Sequence, residues 1–358
     1  MRSLINLSIA ILIVCAGLYF VAGQLEASGS KGSKDTITIY NWGDYIDPDL
    51  LKQFTKETGI KVIYETFDSN EAMLTKIEQG GTTYDIAVPS EYTIEMMIEK
   101  DLLYPIDHSK IPNLKYIDPY YLDLPFDPGN KYSIPYFWGT VGIVYNPNML
   151  SKPLNFESWN DLWDPSLKNK VFLVDSAREV MGMGLNSMGE SLNAKDEELL
   201  QKATDKLIKL SPNIKGVIGD EIIPMMENNE AAVALTWSGS AADMMAENEE
   251  LDYAVPKEGS NLWFDNFVIP KTAKNIEGAH AFINFMLDPE VAAQNAEYVG
   301  YSTPNKAALE IMDPEIANDE RFYPPEEIKN RLEVYENLGL EWLGKYNEYF
   351  LQFKMSIK

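Results

Sequence analysis

Cysteine and histidine are almost absent from this sequence of 358 residues. The single cysteine, Cys15, lies near the N-terminus, so no internal disulfide can form and the rest of the chain has no cysteine nucleophile or cysteine-based metal site. The two histidines, His108 and His280, are far apart and have no neighbouring ligands at metal-binding spacing. We therefore expect neither a metal centre nor a histidine-dependent catalytic triad, and we expect the hydrophobic core to stabilise the folded chain.

Basic residues are also scarce, since 30 Lys and Arg face 55 Asp and Glu and give a formal net charge of −25 at pH 7. Phosphates of a nucleic acid would be repelled, so no nucleic-acid partner is expected, whereas a cationic ligand is compatible with this charge. The sequence has no Gly-x-Ser-x-Gly elbow, P-loop or zinc-binding helix motif, so we do not expect an enzyme. Acidic pairs are abundant, however, and leave an exported hydrolase as an alternative.

A long apolar run occupies the N-terminus and predicts a signal peptide or membrane anchor over residues 1–23. Three outcomes are open: lipidation at Cys15, cleavage near Val21–Gly23, or retention as an uncut anchor. Tethering to the membrane is favoured over release. Residues 24–35 are rich in Gly, Ser and Lys and predict a flexible linker.

The remaining chain has the length and composition of two α/β domains, with 45% hydrophobic and 11% aromatic residues to fill two cores. Residues 36–89 alternate between strand and helix patterns, which predicts a parallel or mixed doubly wound sheet. Long aromatic strands at 134–146 and 263–270 are expected to cross between two lobes, with a ligand cleft between the lobes. The predicted first lobe comprises 36–140 plus 264–309, and the predicted second lobe comprises 141–263 plus 310–358.

The stretch Thr36–Tyr45 is a predicted strand that ends in a loop carrying Trp42, Asp44 and Tyr45. Taken alone, these aromatic residues could simply belong to the core. Similar residues lie at the ends of other predicted strands or, for Trp263 and Asp265, on a predicted crossing strand, where an open α/β sheet presents side chains to a cleft. They are Ser90, Tyr92, Asp175, Glu179, Trp237, Trp263 and Asp265. Aromatic walls with acidic ends suit a linear organic polycation, whose ammonium groups are costly to bury unpaired.

Several ordered motifs add a family resemblance. They lie at Tyr40–Tyr45, Leu50–Val62, Tyr84–Ser90, Phe126–Tyr136, Ala177–Val180, Trp263–Asp265 and Gly300–Asn305. On these residues the chain closely resembles the spermidine/putrescine-binding receptors of bacterial ABC transporters, a branch of the periplasmic-type solute-binding proteins. The resemblance covers essentially the whole mature chain. It implies the two-lobed periplasmic-binding-protein fold, polyamine capture, delivery to a membrane permease, and no cofactor.

The resemblance also assigns site residues. It implies aromatic clamps at Trp42, Tyr45, Tyr92, Trp237 and Trp263, amine-binding carboxylates at Asp44, Glu179 and Asp265, and a hydrogen-bond acceptor at Ser90. The chain departs from the family pattern twice. Ser176 stands where the family often has an acidic residue, with Asp175 one position earlier, and Tyr335 or Glu336 stands where the family often has Gln. The preferred polyamine is therefore left open.

Two other motifs were weighed. Gly182, Gly184 and Gly189 do not match a dinucleotide-binding spacing and are expected to serve helix packing. The pair Tyr120–Tyr121 could imitate the paired tyrosines of ferric-ion receptors, which share the two-lobed plan, so a ferric ligand is an alternative.

Overall fold

The computed structural model describes residues 35–357 of the chain. The predictions for the N-terminal segment, including the modification of Cys15, lie outside the described residues. Within the described range, no helix combines the length and the apolar composition needed to cross a membrane.

Nine strands are formed in the described part of the chain. They are β1 (Thr36–Trp42), β2 (Lys61–Phe67), β3 (Ile86–Ala87), β4 (Ser133–Tyr145), β5 (Val171–Val174), β6 (Ile214–Ile218), β7 (Val233–Trp237), β8 (Asp252–Ala254) and β9 (Leu262–Val268).

The α-helices of residues 35–357 are mostly short. They are α1 (Pro48–Thr58), α2 (Asn70–Gln79), α3 (Glu91–Glu99), α4 (Ala177–Asn186), α5 (Glu197–Leu210), α6 (Ile222–Glu227), α7 (Ser238–Glu247), α8 (Ile276–Met286), α9 (Pro289–Val299), α10 (Lys306–Leu309), α11 (Pro314–Ala317), α12 (Glu326–Lys329) and α13 (Gly339–Lys354). Short 3-10 segments lie in the connections, among them Pro119–Tyr121 and Trp159–Trp163.

The strands are ordered β2-β1-β3-β9-β4-β7-β5-β6, and β8 pairs with β4. Pairing is parallel between β1 and its neighbours and between β5 and its neighbours, whereas β9 and β4 run antiparallel to the strands beside them. The predicted mixed sheet is confirmed. Parallel strands end at one edge, and this brings the ends of β1 and β3 together near β9.

The long strand β4 joins two hydrophobic cores. Its first part, Ser133–Thr140, pairs with β9, and its second part, Val141–Tyr145, pairs with β7. One core draws its buried residues from 37–138 and 262–312, and a second draws them from 141–235 and 338–353. The α/β fold with two lobes and extended crossovers is therefore as the sequence predicted.

Local signals explain the first helix. Asp47 accepts a hydrogen bond from the Asp49 N–H at the start of α1, Pro48 occupies the first turn, and Gly59 ends the helix with φ 76°. In the sharp turn after β1 the left-handed residue is Asp44 (φ 47°), not its neighbour Gly43. Aspartate tolerates this conformation better than most residues.

The segment between α12 and α13 is extended rather than helical. Glu333 there forms a parallel bridge with Asn261, and the backbone N–H of Leu262 donates to the Glu333 carbonyl at 2.8 Å. The segment thus continues the sheet beside β9, because pairing with an available strand edge satisfies its backbone groups.

A substitution at Gly142, in the second part of β4, tests how closely β4 packs against β8. A Cβ atom there would lie 2.6 Å from the Ala254 carbonyl oxygen and would also meet the Tyr253 ring, so Gly142→Ala should lower the free energy of unfolding by about 1–3 kcal/mol. Gly344 of α13 has open space around it, and Gly344→Ala should leave stability unchanged or raise it by up to about 1 kcal/mol. Denaturant unfolding measures both variants, and equal effects of the two substitutions would contradict the packing described.

Candidate functional site

Asp265 lies at the centre of the first-lobe side of the site. It is 6% exposed and sits on β9, where it forms an antiparallel bridge with Ser90 at the start of α3. The Tyr45 hydroxyl donates to one carboxylate oxygen at 2.6 Å, and the Ser90 hydroxyl donates to the other at 2.7 Å. The sheet topology thus brings together Tyr45 and Ser90, which were predicted at two strand ends, and Asp265, which was predicted on a crossing strand.

Asn70, the first residue of α2, positions two of the predicted residues, and this role was not predicted from the sequence. Its side-chain amide donates to the Ser90 hydroxyl at 3.0 Å and to the Tyr92 hydroxyl at 2.9 Å, while its carbonyl accepts the Ser90 backbone N–H at 3.1 Å. Asn70 is buried, so these contacts are shielded from water. The orientation of both hydroxyls is therefore fixed by a residue of α2.

Aromatic rings surround Asp265. Trp42 packs on Phe67 with ring centroids 4.5 Å apart. Its indole N–H is buried, has no hydrogen-bond partner among residues 35–357, and faces Asp265 closely enough to lower that residue's pKa. Trp263 precedes Asp265 by two positions on β9 and is only partly buried.

Tyr301 is an aromatic contact that was not predicted as a site residue. Its ring lies 5.1 Å from Tyr45 and 5.6 Å from Trp263, and it packs so closely on Gly239 of α7 that no side chain fits there. Tyr301 belongs to the motif Gly300–Asn305, and its place in that motif is the feature of the sequence that could have identified it as a site residue. Tyr301 thus links the first lobe to α7 of the second.

The second-lobe side of the site is built at the start of α4. Glu179 is 8% exposed and accepts a hydrogen bond from the Ser176 hydroxyl. Tyr335 is buried nearby, and the Arg178 guanidinium lies over its ring, 4.1 Å from the centroid. A small cavity beside α4 is lined by residues that include Glu179, Gly182 and Tyr335.

Burial shifts the ionisation of these carboxyl groups. It raises the pKa of Asp265 to about 6, although hydrogen bonds from Tyr45 and Ser90 oppose the shift. Burial also raises the pKa of Glu179, against the opposing effects of the Ser176 hydroxyl, the Arg178 charge and the Trp237 side chain. Neither carboxylate forms a salt bridge with a lysine or arginine of residues 35–357. Both acids are thus buried with neutral hydrogen-bond donors and without a paired cation.

Two predicted residues lie apart from this cluster. Asp175 is exposed, lies just beyond the end of β5, and pairs with Lys354 of α13 at 2.7 Å. Asp44 is exposed in the turn after β1. The structure therefore does not bring Asp175 to the site and leaves Asp44 at its rim.

The tyrosine pair considered for ferric-ion binding and one of the two histidines form contacts with other parts of the fold. Tyr121 is buried against Trp138, 4.9 Å away, while the Tyr120 hydroxyl donates to the Lys329 carbonyl at 3.1 Å. The His280 Nε2 accepts the Asp107 N–H at 2.9 Å. Within residues 35–357, no group of three or more His, Cys, Asp or Glu side chains is arranged to hold a metal ion.

Of the three glycines weighed against a dinucleotide motif, Gly182 and Gly184 pack in the second-lobe core. Gly189 is exposed in the turn after α4 with φ 78° and open space around it, so the expectation of helix packing is wrong for this glycine. Gly182 and Gly184 lie inside α4, and a Cβ atom at Gly184 would come within 3.2 Å of Leu207 on α5. This is the helix packing that the sequence predicted.

Residues 49–324 match the family of bacterial extracellular solute-binding proteins. The chain belongs to this family. The match covers most of both lobes, including Ser90, Glu179 and Asp265, and the two-lobed fold of the solute-binding proteins accounts for the position of the site between two cores.

Individual solute-binding proteins are similar over nearly their whole length. The spermidine/putrescine-binding periplasmic protein of Escherichia coli K12 is 41% identical over 337 residues, covering 93% of this chain and 96% of the relative. The structure of the spermidine/putrescine ABC transporter substrate-binding protein PotD from Streptococcus pneumoniae is 59% identical, with a TM-score of 0.87 over 90% of this chain and 100% of that chain. A Listeria monocytogenes structure, provisionally described as a spermidine/putrescine ABC transporter, is 64% identical, with a TM-score of 0.81 over 90% and 99% of the two chains.

The raised pKa of Asp265 gives a testable pH dependence of stability. Because burial favours the protonated form, this residue's contribution to stability is complete below its unfolded pKa of about 3.9 and is lost as the pH rises through about 6. Asp265→Asn keeps a neutral group at this position and should therefore be up to about 2 kcal/mol more stable than the wild type at pH 7.5, with the gain vanishing near pH 4. Denaturant unfolding of the ligand-free protein across this pH range measures the difference.

Asp205→Asn, on the exposed face of α5, is the matched control and should follow the wild-type pH profile. Parallel profiles for Asp265→Asn and the wild type would show that Asp265 is not buried as an unpaired acid.

Proposed function

We propose that this protein is an extracytoplasmic receptor that captures a polyamine, spermidine or putrescine or both, between its two lobes. It delivers the ligand to the permease of an ABC transporter and performs no chemical reaction on it. No cofactor takes part. The N-terminal segment places the protein outside the cytoplasm and tethers it to the membrane.

The observation that carries this proposal is the pair of buried carboxyl groups, Asp265 and Glu179, without a paired lysine or arginine among the described residues. A buried carboxylate without a cation is unfavourable, because desolvation is not offset by an opposite charge. A ligand with two ammonium groups supplies the missing charges. A neutral sugar or an amino acid with its own carboxylate would leave them uncompensated.

The aromatic residues favour an extended aliphatic amine. Trp42, Tyr45, Trp263 and Tyr301 offer ring faces and edges near Asp265, where methylene groups can pack and ammonium groups can approach a ring. Each cation–π contact contributes roughly 0.5–2 kcal/mol when it is desolvated. The relatives named for spermidine and putrescine binding support the same ligand class.

The proposed ligand-binding residues come from both lobes. They are Trp42, Tyr45, Ser90, Tyr92, Trp263, Asp265 and Tyr301 on one side, and Ser176, Glu179, Trp237 and Tyr335 on the other. Asp44 contributes from the rim, and Asp175 is left out because it pairs with Lys354. Ser176 and Tyr335, where the chain departs from the family pattern, determine which polyamine is preferred.

The lobes are proposed to comprise residues 36–140 plus 264–309 and residues 141–263 plus 310–358. A ligand that contacts carboxylates in both lobes binds the closed arrangement more tightly than the open one, and this difference is sufficient to drive closure. The permease then distinguishes the loaded receptor from the empty one by its closed shape.

Asp265→Asn tests the assignment of the central carboxylate. It removes the charge that pairs with a ligand ammonium group while retaining groups able to bond Tyr45 and Ser90, so it should weaken polyamine binding by about 2–5 kcal/mol. Calorimetric titration with putrescine, cadaverine, spermidine and spermine, side by side, measures the loss for each ligand. Asp205→Asn is the control and should bind as the wild type does.

An unchanged affinity in Asp265→Asn would remove this carboxylate from the site. Failure of the wild type to bind any of the four amines would contradict the proposed function itself.

Tryptophan fluorescence separates the proposed ligand from the alternatives. Spermidine or putrescine should quench or shift the emission, because Trp42, Trp237 and Trp263 lie in the proposed site, whereas maltose and neutral amino acids should leave it unchanged. Trp263→Phe should reduce the response. Trp163→Phe should not, since Trp163 lies away from the site and donates to the Lys206 carbonyl at 2.9 Å.

A visible charge-transfer band on adding ferric ion alone would instead favour an iron receptor. Turnover of an ester or glycan panel would favour a hydrolase.

A further inference from the structure

A third buried carboxyl group, Glu91, lies beside the two in the proposed site and was not predicted from the sequence. Glu91 is the first residue of α3 and is 1% exposed. Its Oε2 accepts the backbone N–H of Phe264 at 3.0 Å, across the junction between α3 and β9. Its sequence neighbour Ser90 donates to Asp265, the residue after Phe264, so the Glu91 and Asp265 carboxyl groups are held at neighbouring positions of β9.

The groups that face Glu91 do not neutralise it. Asp265 on β9 is a like charge, and Tyr92 of the same helix is neutral. Arg178 on α4 is the cation nearby, but its guanidinium donates to the Asn193 side chain at 2.8 Å and lies over the buried ring of Tyr335. Glu91 forms no salt bridge within residues 35–357.

Two adjacent buried carboxylates cannot both be ionised in the empty site without a large cost. We propose that Glu91 is a proton-carrying carboxyl of the ligand site, which holds a proton while the site is empty and releases it to solvent when a ligand ammonium group binds beside Asp265. The bound cation then replaces the proton as the compensating positive charge. This inference rests on the proposed function, because it needs a cationic ligand at Asp265.

The pKa values of Glu91 and Asp265 in the ligand-free protein agree with this exchange of a proton for a ligand cation. The pKa of Glu91 is raised to about 8, chiefly by burial and also by the charge of Asp265, while the Phe264 N–H and the Arg178 charge act in the opposite direction. Asp265, with a pKa of about 6, is mostly ionised at pH 7 and therefore contributes little to proton release there. A diamine remains a dication over this range, since alkylammonium groups titrate near about 10.4.

The sign of the pH dependence follows from proton release. A ligand cation lowers the pKa of Glu91, so affinity rises with pH up to the pKa of about 8 in the empty site and then levels off. For putrescine we expect an increase of about five- to tenfold between pH 7.0 and pH 8.5, together with the release of close to one proton at pH 7.

Calorimetric titration of putrescine into the protein tests this directly. The binding enthalpy is measured at pH 7 in two buffers of different ionisation enthalpy, and the difference gives the number of protons released. In Glu91→Gln the side-chain carbonyl can still accept the Phe264 N–H while the titrating proton is removed. Proton release should fall almost to zero and the affinity should change by less than about twofold between pH 7.0 and 8.5. Glu99→Gln, on the exposed end of the same helix, should retain the wild-type proton release.

The outcomes separate this inference from the proposed function. Putrescine binding without proton release in the wild type, or with equal release in Glu91→Gln and the wild type, would overturn the role of Glu91 and leave the receptor function standing. Absence of binding by any polyamine to the wild type would overturn both. Even if Glu91→Gln does not fold, the absence of proton release in the wild type would by itself overturn the role of Glu91.

Discussion

The hydrogen bonds that Tyr45 and Ser90 donate to Asp265 are the interaction on which the site depends. They join the loop after β1, the start of α3 and the middle of β9, three segments far apart in sequence. Because β9 also pairs with β4, the strand that crosses between the two cores, Asp265 is fixed where the lobes meet. A buried carboxylate held by two hydroxyls is satisfied in hydrogen bonding but not in charge.

This imbalance explains several other features. Burial raises the pKa of Asp265, Glu179 and Glu91, and each has its hydrogen-bond donors supplied by hydroxyls or backbone N–H groups. A lysine in the same place would stabilise the free protein and would occupy the position of a ligand cation. The protein thus forgoes stability in its empty state and retains an affinity for organic cations, a compromise that is common at binding sites.

Much of the fold and part of the site could be predicted from the sequence. Alternating strand and helix patterns identified the mixed sheet and β4 as a crossover. The ends of strands identified Tyr45 and Ser90, and the second predicted crossing strand identified Asp265. Local signals are sufficient for these features, because hydrophobic period and capping residues act over a few positions.

The remaining features depend on contacts between distant segments. Asn70 looked like an ordinary residue at a helix start, and its bonds to Ser90 and Tyr92 depend on how α2 packs against α3. Glu91 looked like an acidic residue in a first helical turn, which usually faces solvent. Asp175 and Glu179 are four positions apart, but the end of β5 directs Asp175 toward Lys354 instead. Side-chain direction at the end of a strand is set by tertiary packing.

The central claim is that buried carboxylates without protein cations pair with the ammonium groups of the ligand. A crystal structure of residues 35–357 with bound spermidine or putrescine tests it most directly. The account predicts ligand nitrogens within hydrogen-bonding distance, about 2.7–3.2 Å, of the Asp265 and Glu179 carboxylates, with the methylene chain against Trp263. A polyamine bound elsewhere, or bound between the lobes with both carboxylates turned away from its nitrogens, would contradict the account.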